Sequence, residues 1–421
     1  MLDIHLIREK PDVVEQSLRV RHYETDSLKK IKELDLKWRE VKKEENDLRA
    51  ERNKLGATIN EKKKNKENAD EEIRKSGEIS AKIKDLSVET KTLEEKIMDE
   101  ALNIPNIPHE TVPVGKDETF NKEIDKWGKT EKGPDDVLSH YDIAHKTGLI
   151  DHERGVKLAQ HRFTVLYGDI AKLERALINF MLSVQTSRGY LEVAPPYMVN
   201  SKTMTGTGQL PKFEKDLYKC RDDDLWLIPT AEVPLTNLYA GEVLEEKDLP
   251  IKVTAFTPCF RREAGEYGRD IKGIMRQHQF DKIELVKFAH PERSYKELES
   301  LTKDAQRILE LLEIPYRTIE LCTGDLGFGS AKTYDLEIWI PSQNTYREVS
   351  SCSNFTDFQA RRANIKFRSG GSLEYVHTLN GSGLAVGRTL IAVLENFQED
   401  KKTVVIPKVL RDFIGSETIE L

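Results

Sequence analysis

Two runs of apolar residues in the first quarter of the chain follow helical spacing. Their positions recur every three or four residues, as they do where two helices pack along a heptad seam. A short polar break at residues 65–70 separates the runs and is followed by acidic residues, which favour a helix N-terminus, so the pattern predicts an antiparallel helical hairpin. The first run contains Leu34, Trp38, Val41, Leu48, Leu55 and Ile59, and the second contains Ile79, Ile83, Leu86, Leu93 and Ile97.

Polar seam positions and a basic tip bear on the purpose of this hairpin. Glu45, Arg52 and Thr90 interrupt the apolar seam, which weighs against a plain coiled coil that only joins copies of a chain. Four lysines between residues 62 and 66 would place positive charge at the tip, where it suits a phosphate backbone. A hairpin of this length is a probe, a spacer or a dimerisation device, and these two features weigh against the plain coiled-coil oligomerisation element.

The pattern changes where the hairpin ends. Pro105, Pro108 and Pro113 follow one another closely, and prolines at this density end helices and mark linkers. Beyond about residue 120 the composition is that of an ordinary globular domain. We expect a helical-arm domain at residues 1–104, a linker at 105–119 and a globular domain at 120–421.

The globular part shows helix and strand patterns in turn. An apolar stripe predicts a helix over residues 166–187. Residues 191–199 read as a strand, but Pro195 and Pro196 within it indicate an edge strand or a special junction, and such edges often lie at subunit interfaces. The stripe consists of Ile170, Leu173, Leu177, Phe180 and Met181.

Composition and charge narrow the class of protein. The chain has 421 residues, of which 33% are charged, and its formal net charge of -7 argues against coating nucleic acid through bulk charge. Four scattered cysteines without a CxxC pair favour reduced thiols over a disulfide framework or a structural zinc site. No run approaches the roughly 18 apolar residues of a membrane span, and no signal peptide opens the chain, so we expect a soluble cytoplasmic protein.

The segment 260–284 carries the densest set of candidate binding side chains. One guanidinium group can bind two phosphate oxygens at once, and an aromatic ring can stack on a purine. If both flanks are strands, alternation gives these groups one floor suited to a nucleoside triphosphate, and an ordinary hairpin with a charged, solvated face is the alternative. The floor would hold Arg261 and Glu263 from the first flank and Arg276, His278, Phe280 and Glu284 from the second.

Glycines mark two further segments. The stretch between the two flanks is predicted to be mobile because it carries Gly265, Gly268 and Gly273. It is predicted to bind phosphate because it also carries Arg269 and Lys272. The run from Asn380 to Arg388 precedes an apolar helix pattern at residues 390–397. Its glycines do not fit the GxGxxG spacing and no βαβ unit follows, so we interpret them as serving close packing, with Arg388 at a helix start facing an anion.

Two polar pairs complete the candidates. Thr230 and Glu232 lie two residues apart in a proline-bounded segment. Glu348 and Ser351 lie three apart and offer hard oxygen donors for a magnesium ion bridging phosphates. Taken alone, a capping box or a strand end explains the second pair better than a metal site does.

Together these residues resemble the class II aminoacyl-tRNA synthetases, and specifically the seryl-tRNA synthetase family of the bacterial type. The resemblance spans essentially the whole chain, because the helical arm is followed by segments similar to the three class motifs in their usual order. These segments are residues 188–199, 260–280 and 383–388 with the helix after it. The serine assignment rests on Thr230-Ala231-Glu232, Glu284, residues 348–351, Asn380-Gly381-Ser382 and the arm together.

The resemblance implies an α+β fold in which a long N-terminal helical hairpin joins a class II antiparallel sheet of six or seven strands flanked by helices. It also implies a homodimer built through the first motif. ATP, L-serine and the serine tRNA would be the partners, the tRNA bound through the arm, with a selenocysteine tRNA possible as well. Magnesium would act with ATP, and no zinc is expected because no zinc triad is evident.

The resemblance further implies two steps and a role for each candidate. Serine reacts with ATP to give seryl-adenylate and pyrophosphate, and the seryl group then passes to the tRNA 3′ end. Arg261 and Arg388 would be catalytic, Arg261 holding the α-phosphate and the substrate carboxylate, Arg276 and Arg388 the β- and γ-phosphates, Glu263 the adenine amino group and Phe280 the ring. ATP would contact Arg261, Arg262, Glu263, Arg276, Phe280, Glu348, Val349, Ser350, Ser351 and Arg388; serine would contact Thr230, Ala231, Glu232, Arg261, Glu284 and Ser382; magnesium would contact Glu348 and Ser351.

Two alternatives stay open at this point. A class II relative with a carrier protein as acceptor, or with no tRNA, would share the nucleotide floor but usually lacks an arm. A non-catalytic coiled-coil scaffold with a vestigial ligase body would tolerate losses at Arg261, Glu263 or Arg388, and none is seen. Which pocket residue takes the serine hydroxyl and which the ammonium is also undecided.

Overall fold

The computed structural model describes residues 1–264 and 273–421, which form two compact units. The smaller unit comprises residues 2–19 and 23–104, and the larger comprises Met1, residues 20–22 and residues 105–421. The segment assigned to a linker, residues 105–119, lies within the larger unit. The loop predicted to be mobile, with Gly265, Gly268, Arg269 and Lys272, falls outside the described residues.

The smaller unit is a helical hairpin, as its heptad pattern predicts. The long helices α3 and α4 pack against each other, and α4 begins directly after the polar break. Two of the three polar seam residues meet inside the hairpin: Glu45 is buried, accepts hydrogen bonds from Lys42 and Arg49, and lies 3.5 Å from the Thr90 hydroxyl. The helices are α1 (Ile4–Glu9), α2 (Pro11–Val20), α3 (Asp26–Lys64) and α4 (Asp70–Ala101).

The larger unit is built on an eight-stranded sheet with the strand order β1-β10-β11-β12-β15-β9-β8-β4. Its strands are β1 (Lys122–Trp127), β4 (Leu191–Glu192), β8 (Ile251–Phe260), β9 (Gln279–Ala289), β10 (Tyr316–Glu320), β11 (Lys332–Ile340), β12 (Thr345–Asn354) and β15 (His377–Ala385). Smaller sheets contain β2 (Ile150–Asp151), β3 (Val165–Leu166), β5 (Met198–Val199), β6 (Trp226–Leu227), β7 (Val243–Glu245), β13 (Lys366–Ser369), β14 (Ser372–Tyr375), β16 (Thr403–Val405) and β17 (Thr418–Glu420).

Helices cover the sheet and bury its apolar face. The stripe predicted for the helix over 166–187 is buried, although the helix begins at Gly168. Side chains of α7, α10 and α12 join those of β9, β11 and β15 in one core. The helices are α5 (His140–Thr147), α6 (His152–Leu158), α7 (Gly168–Ser187), α8 (Ser201–Thr207), α9 (Glu232–Thr236), α10 (Ser294–Leu312), α11 (Phe358–Ala363), α12 (Val386–Asn396) and α13 (Arg411–Ile414).

The sheet confirms the α+β architecture and corrects two of its details. It has eight strands instead of six or seven, and the edge pair β4 and β8 is parallel while the other pairs are antiparallel. Residues 191–199 form two short strands in different sheets, because the prolines between them cannot continue a ladder. Among the described residues, no helix has both the length and the apolar character needed to cross a bilayer.

Candidate active site

A cavity of about 680 Å³ opens in the larger unit, where the central strands meet the start of α12. It brings together most residues singled out in the sequence. Those that line it are Thr230, Glu232, Arg261, Glu263, Arg276, Phe280, Glu284, Glu348, Val349, Ser351, Ser382 and Arg388. Four candidates do not line it: Ala231, Arg262, His278 and Ser350.

Most residues of the predicted floor lie outside the strands β8 and β9. Only Phe280 and Glu284 lie within β9, so the expected strand alternation does not place Arg261, Glu263 or Arg276. Backbone pairing continues past the strand end, because the Arg261 amide donates to the carbonyl of His278. This pairing and side-chain contacts bring the arginines and acids together, while the His278 ring turns to the Arg261 carbonyl.

One end of the cavity gathers arginines that already have protein partners. Arg276 Nη1 lies 2.8 Å from Glu263 Oε2. Arg388 Nη1 donates to the Glu348 carbonyl at 2.6 Å. Arg261 also donates through Nε to the Pro229 carbonyl at 3.2 Å, so all three guanidinium groups have partners within the protein.

An aromatic ring and a β-bulge complete this end. The Arg261 guanidinium lies 5.1 Å from the centroid of the Phe280 ring. Glu348 and Ser351 would face opposite sides of a regular strand, but the register between β11 and β12 shifts so that Val349 has no opposing residue. This extra residue allows both oxygen donors to reach the cavity.

The opposite end holds two carboxylates in different surroundings, Glu284 buried and Glu232 half-buried. Glu284 Oε2 lies 2.5 Å from Lys282 Nζ and accepts from the Thr230 hydroxyl at 3.1 Å, so its charge is compensated. Glu232 accepts from the Gln359 amide at 2.7 Å. Burial, and secondarily the charge of Glu284, raises the pKa of Glu232 to about 7, although Lys282 opposes the shift.

Ser382 and Asn380 supply the wall across from these carboxylates. Ser382 faces Glu284 in the pairing of β15 with β9, and a register shift follows before Ala385. The Ser382 carbonyl accepts from the Ser350 hydroxyl at 2.6 Å, so Ser350 positions Ser382 from outside the cavity. Gly381 serves close packing as expected, because an added Cβ would lie 2.6 Å from the Leu301 side chain.

Three site residues escaped the sequence analysis. Lys282 lies two residues from both Phe280 and Glu284 on β9 and so shares their face, and this period of two could have identified it. Gln359 and Asp335 come from elements that carry no recognisable motif. Asp335 faces Ser351 across β11 and β12, and burial, followed by the nearby Glu348, raises its pKa well above the usual range.

The thiols and the other acidic groups provide no metal centre of their own. Cys220, Cys259, Cys322 and Cys352 are free, and the last three are buried. Among the described residues, no group of three or more His, Cys, Asp or Glu side chains is placed to hold a metal ion. Any ion at Glu348 and Ser351 would therefore need ligands from a substrate or from water.

Family profiles match both units of the chain. The profile of the seryl-tRNA synthetase N-terminal domain matches residues 1–108. That of the class II tRNA synthetase core domain (G, H, P, S and T) matches residues 214–397, which contain most of the cavity.

Full-length relatives agree with the profiles. The serine–tRNA ligase of Fervidobacterium nodosum is 53% identical over 100% of this chain and 99% of its own, and that of Pseudothermotoga lettingae is 52% identical over 100% of both. The crystal structure of seryl-tRNA synthetase from Pyrococcus horikoshii complexed with ATP has a TM-score of 0.94 at 42% identity, and covers 100% of this chain and 99% of that one. With both units matched and relatives above half identity along its whole length, the chain belongs to the seryl-tRNA synthetase family.

Proposed function

We propose that the cavity of this serine–tRNA ligase carries out two reactions in succession. In the first, a serine carboxylate oxygen attacks the α-phosphorus of ATP, the bond from this phosphorus to pyrophosphate breaks, and seryl-adenylate forms. In the second, a terminal ribose hydroxyl of the serine tRNA attacks the seryl carbonyl carbon, and AMP leaves. The observation that carries the proposal is one cavity that is lined both by three arginines and by the carboxylates of Glu232 and Glu284.

The arginine end suits ATP. Chemistry at phosphorus needs positioning and charge stabilisation more than a covalent catalyst. We assign the α-phosphate and the serine carboxylate to Arg261, because it lies between Phe280 and Pro229, next to Thr230. Arg276 and Arg388 would take the β- and γ-phosphates.

The base of ATP would bind beside these arginines. Phe280 would stack on the adenine ring, and Glu263 would accept from the adenine amino group. Glu263 lies in a left-handed backbone conformation with φ of 48°, which is uncommon for a residue other than glycine. Its contact with Arg276 would hold this conformation and keep the carboxylate aimed at the base.

A magnesium ion fits the donor set of Glu348 and Ser351. Magnesium usually takes one or two protein oxygens and keeps water and phosphate oxygens as its other ligands, so a pair of donors is sufficient. When bound, the ion would neutralise developing charge on the phosphates. Asp335 hydrogen-bonds Ser351 from behind and would orient its hydroxyl.

The carboxylate end suits serine, and the surroundings of its two acids assign the serine groups. Glu284 is already compensated by Lys282, so it is better placed to accept the substrate hydroxyl, with Ser382 opposite it. Glu232 accepts from the Gln359 amide, and the charge of Lys282 compensates it only in part, so a substrate ammonium would add a cation there. A pocket that pairs the hydroxyl rejects alanine, which would leave buried acceptors unpaired.

The hairpin provides a surface for the tRNA. A shallow groove of about 410 Å³ on the arm is lined by Arg49, Arg52, Lys84 and Lys91 together with small and apolar residues, and no acidic residue lines it. Positive charge gathered in this way suits a phosphate backbone. At the lysine-rich tip Lys62 is paired with Glu72, as Arg49 in the groove is paired with Glu45.

A homodimer and a cytoplasmic location complete the proposal. Leu191, Tyr197 and Met198 are exposed apolar residues on the segment that resembles the first class motif, and β4 lies at the edge of the sheet. A second copy would cover them. The free thiols fit a reducing compartment.

Serine-dependent exchange of pyrophosphate into ATP tests the first reaction. Serine should support exchange, whereas threonine and alanine should support little. Absence of exchange with serine at saturating ATP and magnesium would exclude the proposal.

Charging of serine tRNA tests the role of the arm. Lys84→Glu should lower charging while leaving exchange unchanged, because the groove serves only the second reaction. Lys82→Glu is the matched control, since Lys82 lies on the same helix, is exposed and pairs with Glu44 outside the groove. Equal charging by the two variants would remove the groove from the proposal.

A further inference from the structure

Arg21 is a buried arginine in the short connection between α2 and α3. Its side chain is only 2% exposed, and residues 20–22 belong to the larger unit although the helices on either side belong to the smaller one. Its guanidinium donates to backbone carbonyls. The acceptors are the carbonyls of Asn106 (2.5 Å), Leu326 (3.0 Å), Gly327 (2.6 Å), Phe328 (3.4 Å) and Ser330 (3.4 Å).

Four of these acceptors lie in one loop at residues 326–330. The remaining loop carbonyl, that of Gly329, accepts from the Asn106 side-chain amide at 2.9 Å. Asn106 also donates its backbone N–H to the Phe328 carbonyl at 3.0 Å. All five consecutive carbonyls of the loop are therefore held by Arg21 or Asn106.

The same loop lines the cavity. Gly327, Phe328, Gly329 and Ser330 all contribute to its wall. The Phe328 ring packs edge-on against Phe358, with 5.8 Å between the ring centroids. Phe358 is followed by Gln359, whose amide reaches Glu232, so the loop supports the carboxylate end of the cavity.

We infer that Arg21 is a positioning residue for serine, acting through the loop 326–330. A planar guanidinium has five N–H donors in a fixed arrangement, which allows it to hold several carbonyls at once. Without it, buried carbonyls would lose their partners, and the loop would shift to find others. A displacement of about 1 Å at a reacting group can reduce the rate about 100-fold. The inference rests on the proposed serine pocket.

Pyrophosphate exchange by the full-length protein tests this role through separate KM values for serine and ATP. Arg21→Ala should lower kcat/KM for serine about 10- to 100-fold while changing the KM for ATP less than about twofold. Arg21→Lys keeps the charge and loses the planar fork, so it should give an intermediate loss. Arg19→Ala is the control, because Arg19 lies two residues earlier, is largely exposed and pairs with Glu15.

The outcomes separate a positioning role from a general loss of structure. Thermal unfolding should show that Arg21→Lys is folded like the unmodified protein. If Arg21→Ala does not fold, the serine kinetics of Arg21→Lys test the positioning role. Serine kinetics of Arg21→Lys equal to those of Arg19→Ala would overturn the inference, as would equal changes in the KM values for serine and ATP. Failure of the unmodified protein to use serine would instead overturn the proposed function.

Discussion

The two ends of the cavity treat charge in opposite ways. At the ATP end each arginine has a protein acceptor already: Arg261 contacts a carbonyl, Arg276 a carboxylate and Arg388 a carbonyl. At the proposed serine end Glu232 is half-buried and accepts from an amide, and its pKa is raised to about 7. A ligand at the first end replaces protein acceptors that already stabilise the arginines. A ligand at the second end supplies a positive charge beside Glu232.

This difference indicates where binding energy and selectivity arise. Arginines held by the protein need little reorganisation when phosphates arrive, which favours positioning. A buried carboxylate that lacks a cation gains much more from an ammonium group, and serine presents one. Variants at each end should therefore give distinct kinetic signatures, and the following predictions test that separation.

Arg261→Ala should have the largest effect, because Arg261 lies between the two ends. We expect serine-dependent exchange to fall by about 1,000-fold or more, since both the α-phosphate and the serine carboxylate would lose their cation. Exchange assays measure the loss, and a melting temperature close to that of the unmodified protein shows that the fold is retained. Arg221→Ala, at an exposed position, is the control. Normal turnover by Arg261→Ala would remove its proposed role.

Glu232→Gln should act on serine alone. Without the carboxylate the ammonium would have no counter-charge, so kcat/KM for serine should fall about 100-fold while the KM for ATP stays nearly constant. The same change should raise the unfolding temperature at pH 8, because a buried charge is replaced by a neutral group of the same shape. An equal change in both KM values would contradict the assignment of this end to serine.

The sequence predicted the helices of the molecule better than the placement of the cavity residues. Local periodicity predicted the arm and α7, because a heptad seam or an apolar stripe is written into neighbouring residues. Most charged residues that line the cavity were singled out as well, with Lys282 as an exception. Their placement was not predicted correctly, because Arg261 and Arg276 lie beyond the strands, where pairing and ion contacts rather than alternation orient them.

Long-range features escaped the sequence for a related reason. The bulge at Val349, which brings Glu348 and Ser351 to one side, depends on the register of two strands. Gln359 hydrogen-bonds Glu232, yet its helix carries no motif that sequence chemistry would single out. Arg21 lies about 300 residues from the loop that it holds, and only the folded chain brings them together.

Glu263→Gln should affect ATP alone, and less strongly than the first two changes. Arg276 would lose its ionic partner and the adenine amino group a charged acceptor, so the KM for ATP should rise about tenfold with little change in the KM for serine. Exchange kinetics at varied ATP measure this rise. Glu214→Gln, at an exposed position, should behave like the unmodified protein. A larger effect on serine than on ATP would break the division between the two ends.

The dependence of serine use on pH should give the smallest effect. Because the pKa of Glu232 is raised to about 7, the free protein holds a proton there below that pH, and serine must displace it. The apparent KM for serine should therefore rise about fourfold from pH 8 to pH 6.5, while the KM for ATP changes little. The free energy of unfolding should also depend on the protonation of Glu232, but higher pH should lower stability whereas it improves the use of serine. The folded state binds more protons than the unfolded state between pH 4.5 and 7, so the free energy of unfolding should decrease as pH rises through this window.

Glu232→Gln provides the control for both pH effects. It should remove the rise in the KM for serine at low pH and the decrease in stability at high pH, since it has no titrating proton at this site. Serine should also stabilise the unmodified protein more at pH 8 than at pH 6.5, because the ammonium compensates a carboxylate only when that carboxylate is charged. A KM for serine that is flat from pH 8 to 6.5 would mean that Glu232 is ionised throughout, and the two ends of the cavity would then be alike in holding charges that the protein itself has stabilised.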